Sequence, residues 1–190
     1  MNIYDFDDTI YDGDSGFDFI VFCLKKMPLK VLGSAIKTIP EAIKYLFKKS
    51  NVKILKEKIF SYIHKIDNFD ELANEFADKY KDRIKKWYEE QREVNDVIIS
   101  ASMDFYLVPL CNKLNLKNLI CTNYDMKTGH IIGNNCKGVE KIERLKKHYD
   151  ITKVKYAYSD SLTDAPMFDI AEKGYIVKKD KLIEYKKDIW

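Results

Sequence analysis

The run Asp5-Phe6-Asp7-Asp8-Thr9 sets two carboxylates two residues apart near the start of the chain. If residues 2–7 form a short buried strand, its two-residue period points Asp5 and Asp7 to one side. A carboxylate so placed can attack phosphorus and form an acyl phosphate, dividing a hydrolysis into two steps. Two carboxylates so close cannot both ionise freely, so one keeps its proton to higher pH and can serve as acid, then base. Alone, such a run in an Asp-rich chain is more often a turn or a helix cap. Three further polar features give it weight: Ser100 in Ile99-Ser100-Ala101-Ser102, Lys137 with Lys141, and Asp160 with Asp164.

Four groups from distant parts of the chain need one surface to meet on. Val97 to Ser100, 118–122, 154–158 and 175–177 are compact apolar runs of the kind that form buried strands. Helical patterns over about 104–115, 138–149 and 164–171 alternate with them, and 123–134 reads as a hairpin around Thr128-Gly129. This alternation predicts an α/β fold with a parallel central sheet, Rossmann-like in organisation. The four features fall at C-terminal strand ends, the edge where open α/β sheets bind ligands.

Residues 17–93 read differently, as helices throughout. The expected helices cover 17–26, then 29–48 with an interruption near Pro40. A third carries Leu55, Ile59, Ile63 and Ile66, and a fourth, capped by Asp70, carries Leu72, Phe76, Tyr80, Ile84 and Trp87. The expected organisation is a core of 1–16 and 94–190 with an all-helical cap, 17–93, inserted after the first strand.

Asp5-x-Asp7-x-Thr9 resembles the first motif of haloacid dehalogenase phosphatases, Ser100 the second, and Ser159-Asp160-Ser161-Leu162-Thr163-Asp164-Ala165-Pro166-Met167 the fourth. The helical insertion sits where the phosphoserine-phosphatase-like subgroup carries its cap. Asn135-Cys136-Lys137-Gly138-Val139-Glu140-Lys141 with Arg144-Leu145 resembles a branch that includes bacterial phosphatidylglycerophosphate phosphatases. The resemblance implies a phosphatase with Asp5 as nucleophile and Asp7 as the proton carrier. It implies a magnesium ion held by Asp5, the Asp7 main-chain carbonyl and Asp160, with Asp164 supporting the metal water or Lys141. Ser100 and neighbouring N–H groups, that of Ala101 included, would hold phosphoryl oxygens, and a lysine would stabilise the transferring group. Lys137 and Lys141 both qualify and share a helix face if both are helical. The branch pattern favours Lys141, and the spacing to Asp160 in phosphoserine phosphatases favours Lys137; Lys141 is preferred because the residues around it match better. Asp14, nine residues after Asp5, is either a turn residue or a substrate-facing one.

Composition bounds the partners. Of 190 residues, 46% are hydrophobic and 33% charged, as in a globular chain. The four cysteines form no Cys-x-x-Cys pair, which predicts free thiols and no structural zinc. Acidic residues crowd 5–18, so no cleavable signal is expected and a cytoplasmic location is read. Net charge is only +3, yet residues 19–66 hold eleven lysines against two glutamates. That basic, apolar stretch is either a solvated face or an interfacial one, giving a peripheral contact at the inner membrane surface. No arginine precedes Arg83, which weighs against free phosphoserine, whose carboxylate suits an arginine. The expected substrate is therefore a phosphomonoester on a phospholipid headgroup or other amphiphile, such as phosphatidylglycerophosphate. Phosphoserine or another phosphorylated small molecule is the alternative, and a catalytically idle binding protein on the same fold is a third reading. No motif points to nucleic acid.

Overall fold

The computed structural model describes residues 1–188. In chain order, β1 (Asn2–Tyr4) is followed by the helices α1 (Ser15–Lys26), α2 (Pro28–Leu46), α3 (Val52–Ile59), α4 (Phe69–Tyr80) and α5 (Lys86–Gln91). Next come β2 (Val97–Met103), α6 (Asp104–Lys113), β3 (Leu119–Thr122) and the hairpin β4 (Tyr124–Asp125) with β5 (His130–Ile131). The chain closes with α7 (Val139–Leu145), β6 (Tyr156–Ser159), α8 (Ala165–Asp169), β7 (Lys173–Lys178) and β8 (Lys181–Glu184).

Six strands form one sheet in the order β3-β2-β1-β6-β7-β8, all parallel except β8. Apart from the exposed edge strand β8, the sheet is buried on both faces, as its apolar runs require. Successive residues feed opposite cores: Ile3, Val97 and Ile99 enter one cluster, Tyr4 and Ile98 the other. Because β1 lies centrally, whatever follows Tyr4 emerges in the middle of the sheet's C-terminal edge.

The helices between β1 and β2 share a core with the sheet's own helices. Phe19 of α1 lies 5.1 Å, ring to ring, from Phe76 of α4, and 5.7 and 5.0 Å from Phe105 and Tyr106 of α6. The hairpin also reaches this layer: Lys53 donates to the Gly133 carbonyl at 2.6 Å and Glu57 accepts the Ile131 N–H at 2.8 Å.

Several expected boundaries differ. The first strand ends at Tyr4, not at residue 7. The Asp5 N–H still donates to the Tyr158 carbonyl at 2.9 Å, but the chain then turns through Asp8, whose φ is 55°. The second helix runs through Pro40 without interruption. Pro40 and Ile36 are exposed, so water can satisfy the carbonyl that proline leaves unpaired. The third helix stops at Ile59, with only a single 3-10 turn at Ile63–Lys65 beyond it. The fourth splits into α4 and α5, and its N-terminal position belongs to Asn68, not Asp70. Asp70 and Glu71 instead sit in the first turn, where their charge suits the helix dipole. The antiparallel strand β8 was not expected from the sequence.

Candidate active site

Asp5 leaves the sheet directly beyond β1 and is 8% exposed. Lys141, one turn into α7 and itself 1% exposed, places its ammonium 2.5 Å from Asp5 Oδ1 and 2.7 Å from Asp164 Oδ2. Ser159 at the end of β6 donates its hydroxyl to the same Asp164 oxygen at 2.8 Å. Burial pushes the Asp5 carboxyl up, and the Lys141 charge and hydrogen bond oppose it. Burial also disfavours the Lys141 ammonium, but the two carboxylates it bridges outweigh that and keep it protonated.

Thr9 joins the ends of β1 and β6. Its hydroxyl accepts the Asp160 N–H at 2.9 Å and lies 3.3 Å from Asp5 Oδ2 and 3.4 Å from Asp160 Oδ1. One hydroxyl proton cannot serve both carboxylates at once, so the pair retains unbalanced charge. Burial pushes Asp160 up to about 6, and repulsion from Asp5, Asp8 and Asp164 adds to it.

Asp7 occupies the other side of the turn. Its Oδ1 accepts the Ser15 N–H at 2.7 Å and its Oδ2 accepts the Ser102 hydroxyl at 2.5 Å. Burial pushes this carboxyl up to about 6; both serine contacts pull against that and the Asp5 charge reinforces it. The turn itself is clamped from the helical layer. Lys85 donates to the Asp8 carbonyl, and the Arg83 guanidinium lies 2.9 Å from where a Cβ on Gly13 would stand. With φ at 102° as well, that position requires glycine.

These groups line a cleft of about 430 Å³. Asp5, Asp7, Asp160, Asp164, Lys56 and Lys141 are among its polar residues, and Phe17, Ile20, Ile59 and Phe60 from the helical layer form an apolar wall. Asp14 lines the cleft and caps α1 by accepting the Phe17 N–H at 2.8 Å, so it is a helix cap rather than a plain turn residue. Lys137 lines the cleft too, but it precedes α7, so the two lysines do not share a helix face. Ser100 is fully buried, and its hydroxyl accepts the Ser102 N–H at 3.0 Å. Ala101 and Ser102, not Ser100, line the cleft.

Two contributors escaped the sequence reading. Ser102 stands two residues from Ser100, and strand periodicity was a usable signal for it. Lys56 of α3 donates to the Ala101 carbonyl at 2.7 Å and to Asn135 Oδ1 at 2.8 Å, tying the helical layer to the sheet edge. Burial lowers its ammonium to about 8, with Asp7 and Asp14 resisting. Nothing in a run of eleven lysines distinguished it.

The donor set fits a magnesium ion. Asp5 and Asp160 are hard oxygen donors on either side of the Thr9 hydroxyl, the Asp7 main-chain carbonyl would add a third, and Lys141 is the ammonium that directly pairs Asp5 and Asp164. Asp164 Oδ1 is buried without a hydrogen-bond partner among the described residues, a further sign of charge left to a cation or its water. No cluster of three acidic, His or Cys side chains disposed to hold a metal occurs among the described residues. Two carboxylates, a carbonyl and retained waters do not need one.

Comparison with known proteins follows this geometry. The family model for haloacid dehalogenase-like hydrolase matches residues 3–169. Protein CicA of Caulobacter vibrioides is 26% identical over 195 residues, covering 94% of this chain and 86% of its own. Among solved structures, a protein of unknown function from Bordetella pertussis Tohama I superposes with TM-score 0.76 at 16% identity, over 93% of this chain and 88% of that one. A phosphoserine phosphohydrolase-like protein from Francisella tularensis gives 0.56 at 18%, over 95% and 88%.

Proposed function

The chain belongs to the haloacid dehalogenase-like hydrolase family, and from that premise we propose that it is a magnesium-dependent phosphomonoester hydrolase working through an aspartyl phosphate on Asp5. One observation carries the reading: a buried ammonium touches the Asp5 carboxylate beside a second carboxyl, Asp7, that burial pushes up to about 6. In the first step an Asp5 oxygen attacks phosphorus and the bond to the alkoxide breaks. Asp7 gives its proton to the departing oxygen. In the second step Asp7 takes a proton from water, whose oxygen attacks the phosphorus and releases phosphate and the Asp5 carboxylate. Lys141 holds Asp5 in place and offsets the charge gathered near it. Magnesium bound by Asp5, Asp160 and the Asp7 carbonyl would neutralise charge between the nucleophile and the phosphate. Ala101 lines the cleft and its N–H would hold a phosphoryl oxygen, while Ser102 donates its hydroxyl to Asp7 and its N–H to Ser100.

The apolar wall and the lysines favour an amphiphilic phosphomonoester, a lipid phosphate such as phosphatidylglycerophosphate, reached by peripheral contact with a membrane. Arg83 is held by Asp18 and does not line the cleft, which speaks against free phosphoserine. Asp14 favours the competing small-metabolite reading, since a carboxylate in the cleft suits a substrate amine or hydroxyl. Phosphate release from phosphoserine, sugar phosphates and a short-chain phosphatidylglycerophosphate, with magnesium and with EDTA, tests these readings together. The expected result is magnesium-dependent turnover, greatest on the amphiphile and abolished by Asp5→Asn. Turnover that survives Asp5→Asn, or none on any monoester, would end the catalytic reading. Preference for phosphoserine would end the lipid one.

A further inference from the structure

Helix α2 is inside out. Its inward residues are Val31, Ser34, Thr38 and Glu41, all buried. Its outward residues are Leu29, Leu32, Ile36, Ile39, Ile43 and Leu46, exposed by 86, 51, 67, 54, 49 and 78% and spaced three or four apart along one face. A helix of a globular protein normally turns its apolar stripe inward, and a contiguous exposed stripe marks a surface that something apolar covers.

Charge says what covers it. Lys30, Lys37 and Lys44 recur every seven residues along one border of this face, and Lys48 and Lys49 follow its C-terminal end. Beside the face, a groove of about 510 Å³ between α2 and α3 is lined by Lys30, Lys37, Lys58 and Lys65. Of the two glutamates of this region, Glu57 accepts the Ile131 N–H, and Glu41 is buried, accepting from Ser50 and from Lys44 at 3.4 Å, which leaves the other border lysines without a carboxylate from this stretch. Two copies laid face to face would bring these lysines against one another. No helix among the described residues is long and apolar enough to cross a membrane. An apolar stripe with a lysine border is the arrangement of a helix lying in the surface of an anionic bilayer.

We infer that the outward face of α2 docks on an anionic phospholipid surface, its leucines and isoleucines entering the acyl boundary while its lysines meet the headgroups. The inference deepens the amphiphile reading, but docking and turnover are measured separately. Asp5→Asn protein is sedimented with vesicles of phosphatidylglycerol and phosphatidylcholine, and with phosphatidylcholine alone. It should sediment with the first and not the second, and less so as salt rises. Adding Ile36→Glu with Ile43→Glu should abolish sedimentation. Adding Lys37→Ser alone should weaken it about fivefold, the effect of one surface lysine. In the otherwise unmodified protein, both sets should leave turnover of a soluble phosphomonoester unchanged, which shows that the fold survives. Absent sedimentation, sedimentation indifferent to the Ile36 and Ile43 changes, or a dimer that those changes turn into a monomer would each overturn the inference. Docking without lipid-phosphate hydrolysis would instead overturn the substrate reading alone.

Discussion

Asp7 is held between the Ser15 N–H and the Ser102 hydroxyl, yet burial still pushes it up to about 6. A carboxyl with that value can give and take a proton near neutral pH, where an ordinary aspartate is fully ionised. Asp7→Asn should therefore lower kcat on alkyl phosphates about 100- to 10,000-fold. It should cost far less on an aryl phosphate, whose leaving group needs no proton. An equal loss on both substrates would reduce Asp7 to a positioning role. Lys141 bridges two carboxylates that are almost wholly buried. Lys141→Ala strands them and should destabilise the protein by about 3–5 kcal/mol. Urea unfolding would measure this, and the loss should shrink in acid as the carboxylates take protons. Asp5, Asp7, Asp160 and Asp164 were all legible in the sequence as residues of the cleft. The choice of Lys141 over Lys137 as the buried partner was not settled, because it depends on where α7 begins. Positive φ at Gly138 starts that helix at Val139, which brings Lys141, one turn in, to Asp5.

At the level of elements, the strand and helix alternation after residue 96 could be read because apolar runs and helical spacing are local signals. The failures cluster where a neighbour overrides the local pattern. The strand that begins at Asn2 stops at Tyr4 because Lys85, Arg83 and Ser15 pull the following turn away from the sheet. Elsewhere the elements meet tightly. A Cβ on Gly174 of β7 would lie 2.6 Å from the Cβ of Phe168 on α8. Gly174→Ala should thus cost about 1–3 kcal/mol by overpacking, seen as a lowered Tm. Turnover per folded molecule should be kept, since Asp160 and Asp164 stand at the other end of β6 and α8. Loss of turnover without loss of stability would show that α8 moves with the site.

Across the whole molecule, the clustered carboxylates link pH, metal and stability. Asp7 and Asp160 are both raised to about 6 by burial, so the folded chain holds protons that the unfolded chain sheds near pH 4. Their contribution is complete below about pH 4, fades as pH rises through 6 and is gone above it. Metal-free protein should therefore show a falling Tm between about pH 4 and 7. Magnesium should raise Tm more at pH 7 than at pH 5, because its ligands are then ionised. Calorimetry in EDTA and in magnesium would show both trends, and a Tm at pH 7 indifferent to magnesium would count against the metal site.

The amino-acid order alone carried the fold class, the helical segment between the first two sheet strands and the acids that meet at the cleft. Each of these is written in short-range periodicity or in motifs a few residues long. Contacts across the chain were beyond that reach: Lys141 meets Asp5 over 136 positions and Thr9 meets Asp160 over 151. The same holds for α2, whose pattern is amphipathic whichever way it faces. Folding turns its polar side inward, because Ser34 and Glu41 find partners there in the Lys58 and Ile59 carbonyls and in Ser50. The satisfaction of buried polar groups by distant neighbours is a property of the packed chain, and it set both the buried lysine and the exposed face.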